Sequence, residues 1–447
     1  MPNDLSGALS SFRFKSREWS FVDLRINIPP SSLGSDAINP HTQYSNPLAF
    51  VGYGGYEAIG ASFTLGEGNQ MVCEAADYMV RQLDGVSVED LIQSNVGFYD
   101  SLTNPLQLRW LSPNSGLPLM AAGLIVNTLL DGAAKVCGLP AWEYLARLPS
   151  DFLISLIGDR HLAARFRLAL VKNVLEEGLV GLDDRCEKLK AVGLPVYFTT
   201  WIGHDSDLIA KQIQDQYTRR GIRLAKIKIS KNHDQDIEKI AAISNNIPND
   251  VSLSVDANQT LSFPEALHWM SSLSKIGVVW LEEPFAPDNV RLFADLCREK
   301  KRHGWTCEVV TGENCPNHYT AAALIESGID RFQADPCRML GLVDCIQVSS
   351  ICRIAGCSLT PHAGGSSLDE QSPHIQLFNL ARVATDTRPE VTLTENVGFC
   401  SQFFGVPTVV SNGFAKTPLS PGLLVGLAPD VRARVESYKD GTIWLEL

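Results

Sequence analysis

The chain is 447 residues long, 45% hydrophobic and 20% charged, the composition of a globular protein too large for one simple core. Its formal net charge of −12 argues against a general nucleic-acid binder and against docking on an anionic membrane. The 11 cysteines are scattered, with no CxxC pair and no zinc spacing, which points to reduced thiols inside a cell rather than a disulfide framework.

Residues 1–20, "MPNDLSGALSSFRFKSREWS", read as a polar extension without the apolar core of a secretory signal. Cytoplasm is the expected compartment. The Ser and Arg content of this segment leaves a mitochondrial one open, and Asp4 and Glu18 weigh against it. No apolar run is expected to approach the roughly 20 residues of a membrane span. From about 21 to 70, short apolar runs such as "LAFVGYGG" alternate with Gly-rich turns, the pattern of a small antiparallel sheet. From about 71 to 150, "QMVCEAADYMVRQL" and "LMAAGLIVNTLLDGAAKVCG" repeat apolar residues at helical spacing. Residues 21–150 therefore read as an α+β unit.

Beyond 150 the pattern changes. Eight short apolar runs recur, each ending in a polar residue and each followed by a helical stretch: "PVYFTTWIG", "LAKIKIS", "VSLSVDAN", "VVWLEEP", "EVVTGEN", "RFQADP", "CSLTPHAGG" and "VTLTEN". Near-continuous apolar strands at this spacing suit βα units of a parallel barrel covered on its outer face. Such a barrel carries its chemistry at the C-terminal ends of its strands. Those ends read Lys226 and Lys228, Asp256 and Asn258, Glu282 and Glu283, Glu313 and Asn314, Asp335, His362, and Glu395. Stability alone needs no such ring, and burying it costs free energy unless its members pair or bind a metal.

Asp256, Glu282 and Glu313 end three consecutive strands. Converging carboxylates repel one another unless a cation sits between them, and hard oxygen donors without His or Cys suit Mg2+, with Mn2+ as the alternative. Taken singly, each has a plainer reading as a turn, cap or strand-end charge; three in a row favour the metal. Asp335 beside His362 would fix the imidazole tautomer and make an acid–base group, against the plainer reading of a satisfied buried histidine. Strand alternation aims Lys226 and Lys228 to one side. A solvated edge strand would explain that pattern as well, but this run is Ile-rich and central. Mutual repulsion is expected to lower their pKa values and favour one as a general base. A metal on a substrate carboxylate, with bases on two faces of its α-carbon, permits α-proton abstraction.

These motifs resemble the enolase superfamily, and within it the mandelate racemase subgroup. "SLGSDAI", "ASFTLGEGN", "GFYDSLTNPLQLRWLSP", "DANQTLSFPEALHWMSSL", "WLEEPFAPDN", "DPCRMLG" and "CSLTPHAGGSSLDE" look like stretches of L-fuconate dehydratase and the fungal L-galactonate and related sugar-acid dehydratases. The resemblance covers roughly residues 30 to 400. It implies an α/β fold: a modified TIM (β/α)7β barrel over 151–404, with the 21–150 unit as a capping domain completed by 405–447. It also implies Mg2+ held by Asp256, Glu282 and Glu313, with Glu283 outside direct contact. Lys228 would be the base, assisted by Lys226. His362, oriented by Asp335, would be the acid, and Glu395 would act as a protonated acid on the substrate. Asn258, Trp201 and Asp36 are expected to contact the substrate. The implied activity is a lyase that dehydrates an aldonate to a 2-keto-3-deoxy acid, acting on a small-molecule carboxylate as a homo-oligomer. A racemase or epimerase, or another α-proton-abstracting enzyme on a non-sugar carboxylate, is the alternative, and a non-catalytic binding protein the third reading. The segment after Glu395, "NVGFCSQFF", replaces a His- and Asp-rich stretch of those dehydratases, which puts L-fuconate itself in question.

Overall fold

A computed structural model describes residues 4–29, 38, 42–103, 108–112, 114–158, 162–200, 205–230, 232–405, 407–438 and 441–447. Strands β1 (Trp19–Asn27), β2 (Gln43–Tyr53) and β3 (Tyr56–Ala61) form an antiparallel meander. Its free edge is covered by β14 (Gly441–Glu446), which pairs parallel to β1 in the order β14-β1-β2-β3. Each face of this sheet meets a different core, as strand alternation requires. Ala49, Val51 and Tyr53 of β2 pack into the core that includes the helices Asn69–Gln82 and Gly116–Val136. Val22, Leu24 and Ile26 of β1 point the other way, into a cluster with Cys337, Ala363 and Leu368 of the barrel mouth.

Residues 4–20 are more than a polar extension. Residues 5–10 form a short helix with Asp4 as its cap. Leu9 and Phe14 are buried, Phe12 stacks on Tyr53, and the Tyr53 and Tyr144 hydroxyls donate to Ala8 O and Leu5 O. The apolar residues of this segment are few, but their partners lie far along the chain. A second expectation also changes. The helix Gly116–Val136 is long and apolar enough to cross a membrane, yet 94% of its most apolar window is buried inside the protein. It is a core helix, hydrophobic all round because it is covered all round. At Gly123 of this helix an added methyl group would strike the carbonyl of Met339. Asn127, one turn later, donates to Pro336 O and accepts from Leu342 N, fastening the helix to the barrel.

Eight parallel strands follow: β4 (Leu194–Thr199), β5 (Leu224–Lys228), β6 (Ser252–Asp256), β7 (Trp280–Glu282), β8 (Glu308–Thr311), β9 (Arg331–Phe332), β10 (Ser358–Leu359) and β11 (Thr394–Glu395). The ladder runs unbroken from β4 to β10, and β11 returns to pair with β4. Between β10 and β11 the closure is made by a side chain: Gln376 Nε2 donates to Leu359 O at 3.0 Å and to Leu393 O at 3.1 Å. The short hairpin of β12 (Val410–Ser411) and β13 (Phe414–Ala415) pairs antiparallel with the start of β4, before the chain returns through the helix Pro429–Tyr438 to β14. The result is a barrel whose mouth lies under one face of the N-terminal sheet.

Candidate active site at the barrel mouth

Strand register sets the geometry of the site. Lys228 pairs with Asp256, and Asp256 with Glu282, so one ammonium and two carboxylates stand at one level across β5, β6 and β7. Lys226 and Lys228 do project to one side, and both are buried, Lys226 to 1% side-chain exposure. Lys226 Nζ lies 2.5 Å from Glu282 Oε1, 3.1 Å from Glu395 Oε1 and 3.7 Å from Asp256 Oδ2. Lys228 donates to Asp256 Oδ2.

Ligand atoms of Asp256, Glu282 and Glu313 lie within 4.8 Å of one another. Glu313 Oε2 is buried and makes no hydrogen bond, with His362 Nε2 3.3 Å away. A buried carboxylate oxygen without a hydrogen bond is costly, and hard oxygens so clustered are the donor set of an alkaline-earth ion. The charges agree. Burial, with Asp256, Glu313 and Glu395 nearby, lifts the Glu282 carboxyl to about 8 against the pull of Lys226. Burial and Glu313 push Glu283 well above its usual range. The mouth thus holds more carboxyl groups than its own cations neutralise, and a divalent ion would relieve that excess. The residues fit the metal that the sequence implies.

The lysines differ from expectation. Burial would lower Lys226, but Glu282, Glu395 and Asp256 raise it well above the lysine range. Burial and Lys226 both oppose the charge on Lys228, yet Asp256, Glu313 and Glu282 prevail and raise it. Mutual repulsion is present but is outweighed by the surrounding carboxylates. Asp256 in turn is held below its usual range by the two lysines, against its burial.

His362 forms the expected pair. Its Nδ1 lies 2.7 Å from Asp335 Oδ2, while Asp335 Oδ1 accepts from the backbone N–H groups of Cys337 and Arg338. Burial disfavours the imidazolium, but Glu313, the Asp335 hydrogen bond and Glu395 raise its pKa to about 9. The following Gly365, at φ +85°, sits where a side chain would strike Phe399 O. Glu395 accepts from Thr199 Oγ1 and, at 2.9 Å, from Ala363 N. Lys226, His362 and these donors hold its carboxyl below the usual range despite burial. These donors favour the anion over the protonated acid that the resemblance implies.

These groups line a cavity of about 220 Å3. Lys226, Lys228, Glu313, His362 and Glu395 form its barrel side, and Tyr44, Phe63 and Leu65 of the N-terminal domain its apolar roof. Asn258 lines it too, and donates its N–H to Asp256 Oδ1 at 2.8 Å and its side-chain amide to Oδ2 at 3.3 Å. Trp201 and Asp36 lie outside the described residues. Sequence reasoning placed Glu283 and Asn314 at strand ends, with Glu283 outside direct contact with the metal, and did not single out Gln259, Thr199 or Arg338. Glu283 faces the cavity because the chain turns after β7 with φ +42° at this residue, and Asn314 Nδ2 bridges Glu283 and Glu313. Gln259, also left-handed at φ +65°, donates to Glu283. Their proximity in sequence to the expected metal ligands was the available signal. Thr199 and Arg338 also line the cavity.

A sequence model of the family described as enolase C-terminal domain-like matches residues 208–431. The chain is 28% identical over 434 residues to human mitochondrial enolase superfamily member 1, covering 96% of this chain and 97% of that protein. It is 28% identical over 439 residues to L-galactonate dehydratase of Hypocrea jecorina, covering 96% and 95%. Among solved structures, that of human mitochondrial enolase superfamily member 1 superposes with a TM-score of 0.87 at 26% identity, covering 94% of this chain and 95% of the other. L-talarate/galactarate dehydratase from Salmonella typhimurium LT2, liganded with Mg and L-lyxarohydroxamate, superposes at 0.70 with 19% identity, covering 93% and 92%, a likeness of fold.

Proposed function

This chain belongs to the enolase superfamily, and on that premise we propose that it is a Mg2+-dependent sugar-acid dehydratase. It would remove the proton α to the carboxylate of an aldonate and eliminate the 3-hydroxyl, giving a 2-keto-3-deoxy acid and water. Two of the relatives bear dehydratase names of this kind, L-galactonate dehydratase and the arabinonate dehydratase of Saccharolobus solfataricus. The observation that carries the reading is the placement of Lys228 and of the Asp335-bound His362. Lys228 ends β5 and His362 lies three residues past the end of β10, in one cavity, beside the cluster of three carboxylates.

Asp256, Glu282 and Glu313 would hold the ion. Bound there, Mg2+ supplies charge that polarises the substrate carboxylate and offsets the hold of Asp256 on the Lys228 proton. Lys228, once it has given its own proton to solvent, accepts the α-proton at Nζ as the C–H bond breaks, and Lys226, fixed between Glu282 and Glu395, stays charged beside it. His362 Nε2 donates its proton to the departing 3-hydroxyl as the C3–O bond breaks, while Asp335 stabilises the ring through Nδ1. The enol gains a proton at C3 and becomes the keto acid. Glu395, anchored by Thr199 and Ala363 N, keeps Lys226 in position.

Incubating the protein and Mg2+ with a panel of aldonates tests this, with semicarbazide detection of the keto acid. Turnover of at least one member is expected, and none on any member would count against dehydration. Because Lys228 and His362 share the cavity, proton return is a second reading. α-Deuterium exchange in D2O without keto product would favour a racemase or epimerase.

A further inference from the structure

Away from the barrel mouth, the described residues bring together one other set of metal-ligating side chains. His233 and Asp234 open the helix His233–Asn245 that follows β5, and His268 lies in the second turn of the helix Phe263–Ile276 that follows β6. One donor atom of each lies within 4.8 Å of the other two. His233 is the fixed member. Its side chain is only 18% exposed, Trp269 packs edge-on at 4.7 Å, and its Nε2 lies 3.0 Å from Ser272 Oγ. Ser272 and His268 are four residues apart on their helix and so share a face. The His268 ring lies over His233 with centroids 3.8 Å apart.

A metal-bound imidazole usually gives its second N–H to a fixed acceptor, which sets the tautomer and the ring orientation. With a metal on Nδ1, the proton sits on Nε2 and Ser272 Oγ is placed to accept it. His233 Nδ1 is then the ligating nitrogen, and it faces Asp234 Oδ1 at 2.9 Å. Bonds of about 2.0–2.1 Å to nitrogen and oxygen require the three donors to draw somewhat closer. Asp234, 93% exposed, and the exposed His268 can do so by side-chain rotation. Two imidazoles and one carboxylate select borderline transition metals over the hard ions that suit the barrel mouth.

We propose that His233, Asp234 and His268 form a second, surface site for a divalent transition-metal ion of the Zn2+ or Ni2+ class. The bound ion would join the helices that follow β5 and β6, five residues beyond Lys228.

The test is calorimetric titration of Ni2+ into the full chain, freed of metal by chelation and then saturated with Mg2+. Wild type is expected to take up one equivalent more than His268→Ala, and Asp234→Asn to bind that equivalent at least tenfold more weakly. Ni2+ should also raise the wild-type Tm and leave the Tm of His268→Ala unmoved. Equal stoichiometry and affinity in wild type and both variants would assign the ion to the mouth carboxylates or to thiols and overturn the proposal. So would the absence of any Ni2+ binding to wild type.

Discussion

Lys228 and Asp256 stand side by side on adjacent strands, at one level of the ladder, and the ammonium donates to carboxylate Oδ2. The group proposed as base and a group proposed as metal ligand therefore hold each other's charge. The same contact makes Lys228 a competitor of any cation for that oxygen.

Replacing Lys228 by Ala is accordingly expected to have opposite effects on two measurements. Keto-acid release should fall by about 10^2–10^4, the contribution of a positioned base. Mg2+ binding should tighten, on the order of tenfold or ~1.4 kcal/mol, because the competing ammonium is gone. Calorimetry with Mg2+ beside the semicarbazide assay separates these effects. Weaker Mg2+ binding would contradict the competition.

His362→Asn should stop the reaction at a different point. Loss of the acid is expected to cut dehydration by about 10^2–10^4 while Lys228 still exchanges the α-proton. NMR in D2O should show deuterium entering the α-position of recovered substrate. Loss of exchange along with turnover would move the base function from Lys228 to His362.

The pH dependence of stability in the metal-free protein follows from His362. Its pKa rises from the ordinary 6.5 to about 9 in the folded state, so folding favours the protonated ring. That stabilisation is complete below about pH 6.5 and is lost as pH rises through about 9. The Tm difference between wild type and His362→Asn should shrink across that window. A difference that grew with pH would reverse the sign of the Glu313 and Asp335 interactions.

At the barrel seam, Gln376→Leu leaves the carbonyls of Leu359 and Leu393 without their shared donor. An unsatisfied buried acceptor costs about 1–3 kcal/mol, so a loss of ~2 kcal/mol or more is expected in urea denaturation. An unchanged midpoint would mean that the seam closes by other contacts.

Much of the site was legible because strand periodicity is strict. Alternation placed Lys226 and Lys228 on one side, and strand ends marked Asp256, Glu282 and Glu313 as neighbours. Charge states were not legible, because they depend on distances that only the barrel register fixes. Lys226 is surrounded by Glu282, Glu395 and Asp256, and no local pattern counts those carboxylates. The orientation of Glu283 was not legible for a different reason. Alternation would turn it away from Glu282, but its left-handed backbone ends the strand and brings it back to the cavity. The N-terminal segment hid its structure because Leu9 and Phe14 are buried by residues distant in sequence.

The pairing of Leu24 with Ile443 carries a consequence in time. The sheet that carries Tyr44 and Phe50 lacks its outer strand until residues 441–446 have been synthesised. Translation at about 5–20 residues per second leaves the apolar edge strand β1 waiting roughly 20–80 s while the whole barrel is made. An open apolar edge invites pairing with other chains. The nascent chain thus carries an aggregation-prone edge during its own synthesis, and β1 needs shielding until the roof of the site is complete.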